Sequence, residues 1–124
     1  RAGTTTRWWF GDDESRLSDY AWYRINAWDA GERYAHEVGT KPANPWGLYD
    51  MHGNVWEWCQ DWWSEDYYSS SPSIDPPGPT TGSIHVVRGG NFYNFADIVR
   101  SAHRNGSVPD FRFNAFGARL LRIK

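Results

Sequence analysis

NPWGLYDMHGNVWEWCQDWW, residues 44–63, holds four of the chain's 9 tryptophans within eight positions and changes character halfway along. Gly53-Asn54 is a turn signal, because both residue types tolerate left-handed backbone. After it, Val55, Glu57 and Cys59 alternate with Trp56, Trp58 and Gln60. A period of two places alternate side chains on opposite faces of a strand, so the large residues share one face. Before the turn, Gly39 to Trp46 carries Pro42 and Pro45, which read as an irregular crossing segment.

Working outward, His85-Val86-Val87-Arg88 reads as a second short strand, stopped by Gly89-Gly90, and Gly117 to Ile123 as a closing strand. Residues 19–28, DYAWYRINAW, are apolar without a period, so helix and strand both stay open there. Trp8-Trp9-Phe10 is followed by a Gly11-Asp12-Asp13 turn. Residues 64–83, with three adjacent serines and four prolines, read as a long surface loop, and Asn91 to Phe116 shows no convincing period. Short strands, long irregular connections and one short helix make an α+β domain.

Composition narrows the function classes. In 124 residues, 13 Lys+Arg against 15 Asp+Glu leave a formal charge of −2, which opposes a nucleic-acid partner, as do Asp61, Glu65 and Asp66 beside the Trp-rich strand. No apolar run approaches the ~18 residues of a membrane span, and no stretch of these residues reads as a secretory signal. A lone Cys59 excludes an internal disulfide framework and a Cys-based zinc site. No G-x-S-x-G elbow is present for a Ser/His/Asp hydrolase, and His52 reads as a structural histidine. Aromatics make up 18% of the chain, enough to bury a core. Every Trp lies between Trp8 and Trp63, whereas Phe92, Phe95, Phe111, Phe113 and Phe116 follow it.

Three segments together carry a resemblance: residues 44–63, VVRGGNF at 86–92, and RSAHRN…PDFRFNAFGARLL at 100–121. They resemble the formylglycine-generating-enzyme family. The resemblance implies a C-type-lectin-like fold, with residues 1–124 as one domain that corresponds to the C-terminal part of the family's. Copper-dependent members use two cysteines just after the RGG turn, and those places fall at Asn94 and Val99. Neither supplies the thiolate that a soft metal needs. His36, His52, His85 and His103 lack ligand-like spacing, so neither copper nor iron is expected, and no enzyme activity. Sugar-binding C-type lectins carry EPN- or QPD-like and WND-like triplets around calcium, and this chain has neither.

The resemblance also implies a structural calcium ion around the GN-x-WEW turn, held by the Asp50 and Glu57 carboxylates and the Gly53 and Val55 carbonyls. Oxygen donors at a Gly turn suit a hard cation. The alternative leaves Asp50 and Glu57 bonding the turn or pairing with arginines.

A second resemblance is to the variable proteins of diversity-generating retroelements, whose last segment is rewritten at adenine-rich Asn codons. Their template looks like RGGSWNNNANN-x-RSANRNNNNPDNRNNN-x-GFR, and this chain reads RGGNFYNFADIVRSAHRNGSVPDFRFNAFGAR at 88–119. The implied variable region is 91–119. Its Asn slots hold Tyr93, Asn94, Phe95, Asp97, Ile98, His103, Gly106, Ser107, Val108, Phe111, Phe113, Asn114 and Ala115. Changing the first two bases of such codons cannot produce Lys, Glu, Gln, Trp or Met, and none of these occurs from Asn91 to Phe116. The competing account is an ordinary family C-terminus that drifted in one lineage.

That resemblance implies a ligand-binding protein displayed on a cell or virion surface, with a protein or surface ligand that the residues do not name. Tyr93, Phe95, Phe111 and Phe113 are then an exposed contact patch, and Phe92 and Phe116 pack inward. The Trp set serves as framework, and Arg100, Arg104, Arg112 and Arg119 brace irregular backbone through their donor-rich guanidinium groups.

Overall fold

The turn at Gly53-Asn54 is where the chain's distant segments meet. The computed structural model describes residues 1–120 and gives both residues left-handed backbone, φ +72° and +63°. A Cβ on Gly53 would collide with the Trp22 carbonyl, so glycine is required for that approach. Asn54 then joins three segments. Its backbone N–H donates to Trp22 O (2.7 Å), and its carbonyl accepts from Phe92 N–H (2.9 Å). Its side-chain amide exchanges two bonds with the His36 backbone, at 2.8 and 3.1 Å. One buried amide thereby satisfies backbone groups that no sheet serves.

From that hub the chain runs into β1, Trp56–Trp62, as the alternation predicts. β1 pairs antiparallel with β2, His85–Arg88, which pairs antiparallel with β3, Arg104–Ser107. β4, Phe116–Gly117, runs parallel on the other side of β1, so the sheet order is β3-β2-β1-β4. The β1–β2 register shifts between Trp58 and Trp62, an irregularity that re-aims the end of the strand. The helical content is small: a 3-10 turn at Glu14–Arg16, α1 at Leu17–Tyr20 and α2 at Tyr67–Ser70. None of the described helices is long and apolar enough to cross a membrane.

One expectation needs correction, and one strand was not anticipated. The closing strand expected over Gly117 to Ile123 is confined to β4 within the described residues, and 121–123 lie outside them. β3 was not legible because its sequence, Arg-Asn-Gly-Ser, has no strand propensity and is held by pairing with β2. The open question over residues 19–28 resolves into the end of α1, an isolated bridge at Trp22 and then turns. There the Asn26 side chain accepts from Tyr23 N–H and donates to Ala21 O, standing in for a ladder.

Two buried clusters hold the mixed helix-and-strand domain together. Trp8, Leu17, Ala21 and Tyr23 from the first half pack with Ala96 and Val99 from the second. Ala27, Phe92 and Ala115 form the other, with Trp22, Trp28 and Tyr93 against it. Of the tryptophans expected in the core, Trp56 is buried, Trp58, Trp62 and Trp63 are half-buried, and Trp46 is largely exposed. Burying an aromatic side chain removes roughly 150–250 Å² from water. At about 25 cal/mol per Å² that is worth several kcal/mol as an upper estimate.

The bracing by arginine is observed for three of the four. Arg100 Nε donates to Asp97 O, Arg104 to Glu65 O and Arg119 to Tyr49 O. Arg112 is exposed and makes no such bond among the described residues.

Candidate functional site

After β2 the chain turns twice through Gly89 and Gly90, at φ +91° and +74°. A Cβ on Gly90 would lie 2.6 Å from a Val99 methyl, so this turn packs directly onto the first core cluster. Asn91, fully buried, accepts from Tyr93 N–H, and Asn94 accepts from Asn91 N–H. The Asn94 carbonyl then accepts from Arg24 N–H at 2.9 Å, which ties the segment around Arg24 to this loop. The result is a rigid base carrying exposed side chains.

Those side chains form a continuous aromatic ridge. Tyr93 stands edge-on to Trp28 (5.7 Å, 69°), Phe113 edge-on to Tyr93 (6.0 Å, 74°), and Phe111 lies 6.1 Å from Phe113. Phe111 meets Phe116, and Phe116 meets Trp58 on the sheet. Edge-on and tilted pairs are the favoured aromatic geometry, so the ridge is braced without being buried. Phe95, Phe111 and Phe113 remain 56%, 44% and 47% exposed.

The thirteen slot residues are not all placed alike. Tyr93, Phe111 and Phe113 form the ridge, the exposed Asn114 lines the cleft at its end, Phe95 packs under the Arg24 guanidinium, and Asp97 and Ile98 continue the turn after Phe95. His103 sits 5.8 Å from the Trp56 ring. Ser107 pairs with His85, whose ring stacks on Trp62, so both slots share the tryptophan face of the sheet. Val108 is half exposed just beyond β3.

Three slots depart from the expected contact surface. Ala115 is fully buried in the second cluster, where its carbonyl accepts from Trp56 N–H at 2.8 Å. Gly106 faces the opposite side of β3, and a Cβ there would come 2.8 Å from both Trp63 and Ile84. Asn94 is half-buried and spends its side-chain oxygen on the turn. Phe92 is fully buried as expected, whereas Phe116 is only half-buried and belongs to the ridge.

An open cleft of about 500 Å³ lies at one end of the ridge. Tyr93, Phe113 and Asn114 form one wall; Arg24, Trp28 and Arg33 form the other, with Phe92 beneath. The Arg33 guanidinium lies 4.9 Å over the Trp28 ring, and that of Arg24 lies 4.6 Å over Phe95. Arg24 also pairs with Asp29 at 3.3 Å. Sequence reasoning missed Arg24, Trp28 and Arg33, because they sit in an aperiodic segment far from the Phe-rich stretch. No signal in those residues points to a cleft; the Arg24–Asn94 backbone bond creates the proximity.

The calcium set lies on a separate cleft of about 450 Å³, which Asp50, Gly53, Val55 and Glu57 all line. Both Glu57 oxygens are already engaged: Arg119 Nη2 donates to Oε1 at 2.6 Å and Arg119 Nε to Oε2 at 2.8 Å. Asp50 accepts from Gly39 N–H at 2.7 Å. Among the described residues no group of three or more His, Cys, Asp or Glu side chains gathers as a metal site. With a guanidinium filling the Glu57 fork, these donors do not fit a divalent cation as they stand. The pairing with arginine, held open from the sequence, is the arrangement observed.

The positions of the copper-binding cysteines are equally occupied by structure. Asn94 shapes a turn, and Val99 is a core residue with no exposed surface. Cys59 is half-buried on β1, where burial pushes its thiol pKa up, away from the reactive thiolate. His52 is held neutral: Trp9 N–H donates to its Nε2 (3.4 Å), its Nδ1 donates to Val99 O (2.9 Å), and burial lowers its pKa to about 4. It is a core histidine.

Fold and site together define a small mixed domain that carries an exposed aromatic ridge and cleft on a loop-built frame. The chain belongs to the sulfatase-modifying factor enzyme 1-like domain family, whose model matches residues 1–124. It is 36% identical to the formylglycine-generating enzyme of Streptomyces coelicolor, over 81% of this chain and 39% of that one. It is 46% identical to the serine/threonine-protein kinase pkn1 of Chlamydia caviae over 68% of this chain and 14% of that one. Among solved structures it matches Treponema denticola variable protein 1 with a TM-score of 0.83 and 38% identity, over 94% of this chain and 41% of that chain. The chain thus spans about two fifths or less of the length of each of these proteins.

Proposed function

We propose that this domain, with a C-type-lectin-like fold, is a noncatalytic ligand-binding protein whose contact surface is diversified by a retroelement. The observation that carries the reading is the ridge itself. Four large aromatics at slot positions, Tyr93, Phe95, Phe111 and Phe113, stay about half exposed or at the surface margin, while Trp8 and Trp56 are buried in the frame. A surface that accepts many side chains must leave folding to other residues, and substitutions on it shift stability little. Rigid aromatics among small polar neighbours are also the composition of an antibody paratope. The likeness to a variable protein, at 38% identity, supports the same reading. Its contact residues are Tyr93, Phe95, Asp97, Ile98, His103, Ser107, Val108, Phe111, Phe113 and Asn114, and Arg119 takes the place of calcium in the turn.

The test is the surrounding coding sequence. A reverse-transcriptase gene, with a near-repeat of the stretch encoding 91–119 that carries adenines at the slot codons, is the expected finding; a locus lacking both would sink the proposal. The second reading, a formylglycine-generating-type oxidoreductase, is favoured by the 36% identity to such an enzyme. It requires conversion of a cysteine in a sulfatase-motif peptide, with copper and oxygen supplied. Asn94 and Val99, standing where the thiolates would be, lead us to expect none.

A further inference from the structure

The cleft at the end of the ridge is built half from slot residues and half from residues outside the rewritten stretch. Tyr93, Phe113 and Asn114 belong to the first set; Arg24, Trp28 and Arg33 to the second. If the ligand surface is diversified, the second wall is common to every version of the domain. We propose that this constant wall selects acidic, aromatic-bearing peptide segments, while the slot residues choose among them. The proposal rests on the contact-surface reading given above.

The chemistry follows from what each wall offers. Trp28 stacks loosely on the buried Phe92 (6.3 Å, 20°) and meets Tyr93 edge-on, so its position is set from two sides. Phe113 lines the same cleft and is half exposed. An apolar or aromatic side chain entering the cleft would be desolvated against these rings. Beside the two guanidiniums, the polar groups of the lining are one amide, Asn114, and one phenol, Tyr93.

Charge then distinguishes the flanks of the entering residue. Arg24 is neutralised by Asp29 at 3.3 Å, whereas Arg33 forms no ion pair among the described residues. Arg33 is exposed, and its guanidinium is held 4.9 Å over Trp28 by cation–π attraction, which orients a positive charge at the cleft mouth. A carboxylate next to the inserted side chain meets that charge; a lysine there is repelled. The chain's overall charge of −2 disfavours a nucleic-acid strand as the source of the anion.

The experiment uses short synthetic peptides in a Gly/Ser background, carrying Glu-Trp-Glu, Lys-Trp-Lys or Glu-Ala-Glu, titrated against the domain with the Trp28 indole N–H followed by NMR. Glu-Trp-Glu is expected to shift that resonance and to bind roughly tenfold tighter than Lys-Trp-Lys, the size of two exposed charge contacts made or reversed. Arg33→Glu should invert the order and Arg33→Lys should keep it, each with an unchanged Tm. Equal binding of the Glu and Lys peptides, or indifference to Arg33→Glu, overturns the charge selection but leaves the contact surface standing. Equal binding of Glu-Ala-Glu overturns the aromatic requirement. If no peptide moves the Trp28 resonance, the proposal fails together with the cleft as a contact surface. Tighter binding of a single-stranded oligothymidylate also overturns it.

Discussion

Arg119 grips Glu57 through two hydrogen bonds, 2.6 and 2.8 Å long, across 62 residues of chain. A third, to Tyr49 O at 2.8 Å, fixes the same guanidinium to the loop before the Gly53 turn. The Glu57 hydrogen bonds raise the Arg119 pKa further, so the guanidinium stays charged. A planar guanidinium matched to a carboxylate fork adds geometry as well as charge. In this structure one side chain joins β4's exit to β1 and to the loop before the turn.

Chelation should therefore leave the fold intact. EGTA is expected not to move the Tm of the wild-type domain, while Arg119→Ala should lower it by about 1–2 kcal/mol in stability, the loss of a charge-assisted pair that is partly exposed. A Tm that falls on EGTA addition and recovers with calcium would contradict this account of the turn.

Frame and ridge residues should separate cleanly in denaturant. Trp56→Ala removes a buried ring and should cost about 3–5 kcal/mol. Phe111→Ser and Phe113→Asn, which act on half-exposed rings, should each cost about 1 kcal/mol or less. Urea midpoints check the contrast, and similar losses at all three positions would mean that the ridge is core.

Gly106 should behave unlike its neighbouring slots. A Cβ there meets Trp63 and Ile84 at 2.8 Å, so Gly106→Ala forces a shift and should cost about 1–3 kcal/mol. Ser107→Ala, on the other face of β3, should be nearly neutral. Parallel thermal melts of the two variants distinguish them, and a neutral Gly106→Ala would return that slot to the contact surface.

Acid should weaken the fold through His52. His52 has its pKa depressed to about 4, first by burial, against an ordinary value of 6.5. Between those values the unfolded chain binds the proton and the folded chain does not, so stability falls as pH drops from about 6.5 to 4. The integrated loss is about 3 kcal/mol, an order-of-magnitude figure. His103, lowered chiefly by burial as well, acts in the same direction. Comparing wild type with His52→Gln isolates the contribution: the variant should lose less stability over that window, and identical slopes would contradict the neutral core histidine.

The sequence was most legible where a local rule decided the structure. Alternation around Trp56 and Trp58 located β1, and Gly89-Gly90 ended β2 where expected. The exposure of aromatics in the Phe-rich segment was legible only through its resemblance to a variable-protein segment, since Phe92 at 0% and Phe95 at 56% exposure are the same residue type three positions apart. What escaped was long-range. β3 exists because β2 offers Arg104–Ser107 an edge. The second wall of the cleft exists because Asn94 O captures the Arg24 amide. Ala115 looked like an open slot, yet its backbone bonds Trp56 and its methyl faces Ala27 and Phe92 in the core. No composition or spacing encodes those pairings.

The central claim, that the ridge is a rewritten contact surface, is tested most directly by deep sequencing of the stretch encoding 91–119 in an expanding culture of the source organism. Substitutions confined to the slot codons, aromatic positions 93, 95, 111 and 113 included, and confined there to exchanges reachable from AAY, are the predicted result. An invariant stretch, or changes spread evenly into the RGG, RSA and PD positions, would contradict it.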